Sequence, residues 1–219
     1  MTGMACLALA SAAFICMHFL LSHPLRRPLV ARLGEGPFQG LYSLVALVTF
    51  GLMIWSYRAL GDQTPMWDEG EAGWIVATVL MFIGSILFVG SFVANPALPG
   101  ARLQKGKVAA GVFGITRHPM MWGFALWAIV HLMVVATPKA LLLDSSILFL
   151  ALAGSVGQDR KKAKLMGERF HEWTAQTAFV PFIRGFSNPG PIALVGGTIF
   201  FLLATWLHPF PAGIWRWVG

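Results

Sequence analysis

The chain has 219 residues, of which 57% are hydrophobic and only 11% charged, with a formal net charge of +7. A soluble domain of this size carries about 25% charged residues. The composition therefore excludes an ordinary soluble enzyme and points to an all-α, polytopic membrane protein whose first partner is the lipid bilayer. The positive charge belongs to loops facing a membrane surface rather than to a nucleic-acid site, and no nucleic-acid partner is expected.

Six apolar segments reach, or nearly reach, the length that crosses about 30 Å of hydrocarbon at about 1.5 Å per residue. They cover residues 4–22, 39–60, 72–94, 119–137, 140–157 and 190–208. The first lacks a basic flank and a small-residue cleavage site after it, so it reads as a retained helix rather than a signal peptide. Its Cys6 and Cys16 form no metal or disulfide motif and read as packing residues. The third ends at Asn95-Pro96, a helix boundary. Thr137-Pro138-Lys139 makes a tight turn between the fourth and fifth segments. The whole, residues 1–219, reads as one six-helix bundle domain.

Loop charges orient the bundle. The first loop holds Arg26, Arg27 and Arg32, and the third holds Arg102, Lys105, Lys107 and Arg117. The fifth holds Arg160, Lys161, Lys162, Lys164, Arg169 and Arg184. With six spans these basic residues share one side, while Arg58, Lys139 and Arg216 fall on the other with the acidic loop of Asp62, Asp68, Glu69 and Glu71. The positive-inside rule then puts loops one, three and five in the cytoplasm and both termini outside it. The fifth connection, 158–187, has a basic start and then Phe170, Trp173 and Phe179 among polar residues. It predicts an amphipathic, interfacial helix ended by Pro181. Such a helix either lies on anionic lipid or closes a site at the cytoplasmic mouth of the fourth span.

Titratable groups inside spans are the candidates for function. His18 lies within the first span and His131 within the fourth, about 20 Å of helix rise beyond His118. Neutral imidazoles in a dry bundle suit haem iron or another transition metal. They also serve as polar glue, bonded to a neighbouring carbonyl or hydroxyl. Arg117-His118-Pro119 opens the fourth span. Proline there starts a helix, and arginine there snorkels to phosphate. The same groups make an anion site for a haem propionate, a lipid headgroup or the carboxylate of a methyl donor. Met120 and Met121 beside Trp122 read as packing. No GxSxG, HExxH, Walker or dinucleotide-binding motif occurs in a convincing context.

Three blocks carry a resemblance: HFLLSHPLRRPLVARLGEGPFQGLYSLVALVTFGLMIWSY from His18, GVFGITRHPMMWGFALWAIVHL from Gly111 and WTAQTAFVPF from Trp173. In this order they resemble the NnrU family of bacterial membrane proteins, linked to nitrite and nitric oxide reduction. That family is similar to the ζ-carotene isomerases, membrane haem b enzymes that isomerise a polyene double bond. The resemblance implies His18 and His131 as axial ligands of haem b and a bacterial inner-membrane location. Arg117 and His118 are read as cofactor-binding residues at the cytoplasmic rim, with Arg117 facing an acidic group of the cofactor, and the loop charges make both termini periplasmic. One departure is clear. The isomerases use a cysteine three residues before the second histidine in a ligand switch, and Ala128 stands there here.

A more distant resemblance joins RHPMMWG and MGERFHEWTAQTAFVPF to the isoprenylcysteine carboxyl methyltransferases, in which such segments enclose S-adenosylmethionine. The acidic pair of that family is Gln158-Asp159 here, and its tyrosine positions fall on His171 or Trp173. The leading expectation is a haem b protein with a redox or accessory role in nitrite and nitric oxide reduction. An S-adenosylmethionine-dependent methyltransferase, a haem-dependent polyene isomerase and a non-enzymatic assembly factor are the alternatives. A small hydrophobic substrate fits the enzymatic readings, and no protein partner is indicated.

Overall fold

A computed structural model describes residues 3–93 and 108–218. The loop cations Arg102, Lys105 and Lys107 and the Asn95-Pro96 boundary lie outside the described residues. The described residues are helical with no strand. In chain order the helices are α1 (Gly3–Ser22), α2 (Arg26–Leu33), α3 (Glu35–Arg58), α4 (Gly70–Gly90) and α5 (Val112–Ile115). They continue with α6 (Pro119–Val134), α7 (Pro138–Met166), α8 (Glu168–Gln176), α9 (Pro191–Trp206) and α10 (Trp215–Val218). Four of them, α1, α3, α4 and α7, are long and apolar enough to cross a membrane. The other two expected spans, α6 and α9, are apolar but only 16 residues each, about 24 Å of rise.

Local chemistry sets the ends. Pro119, Pro138 and Pro191 each open a helix, where the missing N–H costs nothing. Thr137 caps α7, its Oγ1 accepting from the Ala140 N–H at 3.3 Å. The basic run after Gln158 continues α7 instead of opening a loop, because Lys, Arg, Gln and Ala are good helix formers. Gly167, at φ 55°, ends it in a conformation that favours glycine. The short α8 follows, and its aromatic face turns inward: Phe170 and Trp173 are buried. The exposed large apolar side chains of this connection are Leu165, Val180, Phe182, Ile183 and Phe186 instead. The helix α2, in the first arginine-rich loop, is an element the hydropathy pattern does not announce.

The chain divides into two compact units. The first comprises Met1–Asp68 and Val135–Leu150. There α1 packs along α3, with Phe14 against Phe50 at 5.7 Å between ring centroids. An ion pair, Arg26–Glu35 at 2.5 Å, joins α2 to the start of α3. Lys139 is buried; its Nζ donates to the Gly61 carbonyl and lies 4.6 Å from the Tyr57 ring centroid.

The second unit comprises Glu69–Val134 and Ala151–Gly219, with α4 packed on both α6 and α9. Its core holds Ile86 and Leu87 of α4, Val112, Phe113 and Ile115 of α5, Phe170 and Trp173 of α8, and Ala193 of α9. Small residues let the backbones approach. A Cβ on Gly123 of α6 would lie 3.1 Å from the Gly84 carbonyl oxygen, and one on Gly197 of α9 would lie 2.7 Å from Cα of Ile86. The outer face of α9 is an apolar ridge of Ile192, Val195, Ile199, Leu203 and Trp206, all exposed as a lipid-facing surface is.

Backbone cannot yield as a flexible side chain does, so Gly197→Ala is expected to destabilise the protein by about 1–3 kcal/mol. Gly154→Ala, whose added methyl meets nothing within 4 Å, is expected to be neutral or mildly stabilising. Thermal denaturation of both variants in one detergent checks this, and equal midpoints would contradict the close α4–α9 approach.

Candidate functional site

The site lies in the second unit and is built at the entry to α6. After the single turn of α5, Thr116 turns the chain out to φ −154°, ψ 148°. His118 then precedes Pro119, and its carbonyl accepts the Trp122 N–H at 2.9 Å as α6 begins. Alongside runs the segment 177–182 that follows α8. The Arg117 N–H donates to the Ala178 carbonyl at 2.8 Å, and the Phe182 N–H donates to the Ile115 carbonyl at 3.3 Å. Thr116 Oγ1 and Trp122 Nε1 both donate to the Phe179 carbonyl, at 2.7 and 2.8 Å. Phe182 holds φ 64°, a left-handed conformation that costs a non-glycine residue about 1–2 kcal/mol. The surrounding bonds hold it there.

This pairing brings Arg117 and His118 onto one carboxylate. Asp159, on the second half of α7, receives Arg117 Nε at 2.8 Å and a terminal guanidinium nitrogen at 2.7 Å, both on Oδ2. Its other oxygen accepts from His118 Nε2 at 2.8 Å. A carboxylate only accepts, so Nε2 of a neutral His118 carries the proton. The Phe179 ring lies 5.3 Å from Arg117 Cζ and 5.3 Å from the His118 ring centroid. The guanidinium expected to face a cofactor's acidic group thus already faces an acid of its own chain. Burial pushes the His118 imidazole below its ordinary range; the Asp159 carboxylate pulls upward without prevailing, and Lys162 and Arg117 add to the downward push.

The span histidines sit elsewhere. His131 is near the far end of α6, about 20 Å of rise from His118. Its Nδ1 lies 2.8 Å from the Trp127 carbonyl oxygen, and the Trp127 ring stacks on it at 4.1 Å. A carbonyl only accepts, so Nδ1 is protonated and Nε2 keeps its lone pair. His208, just beyond α9, has its ring centroid 6.1 Å from that of His131. His18 belongs to the first unit. Its Nδ1 is anchored in the same way on the Phe14 carbonyl at 2.7 Å, with Phe14 and Tyr42 against the ring at 4.4 and 5.6 Å. The structure therefore joins Arg117 to His118 and His131 to His208, and it leaves the two pairs at opposite ends of α6.

Of two buried or half-buried acids, Asp159 enters the sequence reading only through the methyltransferase resemblance and Asp144 not at all. Asp159 gathers the α6 entry from 42 residues downstream. Asp144 is 3% exposed in the first unit, with no ion-pair partner among the described residues. An acid inside an apolar segment is the signal that marks Asp144.

Long apolar helices with polar groups turned onto their own carbonyls define a multi-pass membrane protein. The profile of the NnrU protein family matches residues 6–216, and the chain belongs to that family. It is 26% identical over 160 residues to the chloroplastic 15-cis-zeta-carotene isomerase of Arabidopsis thaliana, and 25% identical over 158 residues to that of Zea mays. Each alignment covers 68% of this chain and 42% of the relative, so the chain spans well under half the length of these curated relatives. No solved structure matches it.

Two measurements test the Asp159 cluster. Arg117→Ala is expected to lower stability by about 1–3 kcal/mol, because the carboxylate loses two donors. Adding Asp159→Ala is expected to cost less than the two single changes summed, and strict additivity would deny the coupling. His118 makes stability fall on the acid side. Unfolded, the ring returns to a pKa of about 6.5. Stability is then full above about pH 6.5 and is lost as pH falls toward the depressed folded value. Melting from about pH 7.5 down to about pH 5 should lower Tm, and less so in His118→Gln; equal slopes would clear His118.

Proposed function

We propose that this NnrU-family membrane protein crosses the bacterial inner membrane six times, with both termini periplasmic, and binds haem b. Its role is redox or accessory, in nitrite and nitric oxide reduction. One observation carries the haem reading. His131 and His18 each sit in an apolar helix with Nδ1 fixed on the carbonyl four residues back, which leaves Nε2 free to ligate. That donor chemistry fits a haem iron, with His131 as one ligand residue and His18 as the second that the family resemblance implies. Haem supplies a one-electron couple when bound; the chain supplies orientation of the imidazoles and a dry surround. The exposed apolar ridge of α9 supports a span despite its 16 residues, since a short span is accommodated by local thinning of the bilayer.

In this reading Arg117 and His118 hold a different bound group from His131. About 20 Å of α6 separates them, farther than the propionates of a haem at His131 would reach. The alternative of S-adenosylmethionine-dependent methyl transfer draws on this other end. There the Arg117-His118-Pro119 entry and the segment 177–182 lie together, as that resemblance implies. The polyene isomerase alternative keeps the haem but lacks the thiol, since position 128 is a fully buried alanine. A small hydrophobic substrate and a purely scaffolding role remain the other readings of the same bundle.

The test is a reduced-minus-oxidised spectrum of the detergent-purified protein with a pyridine haemochrome assay. A b-type α-band at about one haem per chain is expected, and His131→Ala should abolish it. A flat spectrum from protein expressed with ample haem overturns the reading. Binding of S-adenosylmethionine that Arg117→Ala abolishes would then favour methyl transfer.

A further inference from the structure

His208 takes no part in the Asp159 cluster, and nothing assigns it a role. It follows α9 by two residues and stands over the end of α6, where its ring centroid lies 6.1 Å from that of His131. Its Nδ1 is out of contact with solvent and has no hydrogen-bond partner among the described residues. Such an atom is uncommon, because a buried polar nitrogen ordinarily finds a partner. Across from it, the proton of His131 is committed to the Trp127 carbonyl, so the lone pair of His131 rests on Nε2. Each imidazole therefore has one nitrogen to spare. Each ring is also packed against an aromatic neighbour: Trp127 stacks on His131 at 4.1 Å and Phe210 meets His208 edge-on at 4.3 Å. Trp74 of α4 packs on Phe210 at 6.1 Å, and the nearby charges of Arg216 and Glu71 are paired with each other.

We propose that His131 and His208 form a two-imidazole site for a transition-metal centre at the far end of α6 and α9. Metal–nitrogen bonds of about 2.0–2.1 Å place two imidazole centres about 6 Å apart when they face each other across one metal. That matches the separation present here. The donor set narrows the metal. No group of three or more histidine, cysteine, aspartate or glutamate side chains that could hold an ion occurs among the described residues. Zinc takes three or four protein ligands, and calcium and magnesium take oxygens, so none of the three suits the pair. Two neutral imidazoles suit the iron of a haem, whose macrocycle supplies four nitrogens, or a bare low-coordinate ion such as monovalent copper. Where the metal is haem iron, the inference rests on the haem reading above but puts His208, from the same unit, in place of His18 as the ligand opposite His131.

The experiment compares the full-length protein with His18→Ala, His131→Ala, His208→Ala and His208→Met. Each is purified in detergent after expression with ample haem and examined by absorption and electron paramagnetic resonance spectroscopy. If haem is present, the expected result is loss of the six-coordinate low-spin signal in His131→Ala and His208→Ala. That signal should persist in His18→Ala and return in His208→Met with a displaced spectrum, because a thioether ligates and a merely structural residue would not shift the spectrum. A low-spin signal unchanged in His208→Ala and lost in His18→Ala overturns the inference and leaves the haem reading standing. Loss of signal in His208→Ala without recovery in His208→Met also overturns it. If the wild type carries no haem, the haem reading falls. An anaerobic titration with monovalent copper against a colorimetric chelator then decides. One equivalent bound by the wild type, with affinity at least tenfold weaker in both His131→Ala and His208→Ala, supports the site for a bare ion. No copper binding overturns it.

Discussion

Hydrocarbon offers a polar atom nothing to bond, and the spans of this chain are built around that constraint. Thr49, Thr78, Ser85, Ser146, Ser155, Thr198 and Thr205 each turn their hydroxyl back onto the carbonyl four residues earlier. His18 and His131 do the same with Nδ1. Each helix thereby satisfies its own polar side chains and is free to present apolar or small surfaces to its neighbours. Against this background the departures stand out. Among the described residues, Ser11 Oγ and His208 Nδ1 are buried without a hydrogen-bond partner, and Asp159 reaches across to another segment.

Asp159 is the one acid that the arrangement around α6 turns on. It compensates Arg117, fixes the tautomer of His118 and brings the second half of α7 to the start of α6. The backbone bonds between 115–118 and 177–182 then hold Phe179 over both side chains. A guanidinium, an imidazole and a carboxylate packed under an aromatic ring are each restrained by the other three. The core of α5 and α8 beneath them supplies the apolar burial that keeps this polar group at low hydration. The arrangement is consistent at two levels, since the helix-opening proline and the long-range ion pair require the same path of the chain.

Membership in a helical membrane family was legible from hydropathy alone, because apolar run length is a local property. So was the interest of Arg117, His18 and His131, each an ionisable group in or beside an apolar segment. The ends of elements were less legible. The charged run after Gln158 resembles a loop by composition, yet its residues favour helix, and the first strong breaker is Gly167. The inward face of α8 was hidden because the amphipathic pattern of Phe170 and Trp173 reads alike whether the apolar side meets lipid or protein. Asp159 and His208 depend on contacts 42 and 77 residues apart in sequence, and no local pattern encodes those pairs.

The brevity of α6 and α9 has a further consequence. If both cross the membrane, their 16 residues fall about 6 Å short of a typical hydrocarbon thickness. The bilayer then pinches around the second unit, and headgroups and water come closer to the two ends of these helices. Polar groups at those ends sit at hydrated depth without the helix having to be polar. If both cross, a thicker membrane would draw the same groups into hydrocarbon, so these two helices would favour the thinner of two host bilayers even though α1, α3 and α4 are long enough for either.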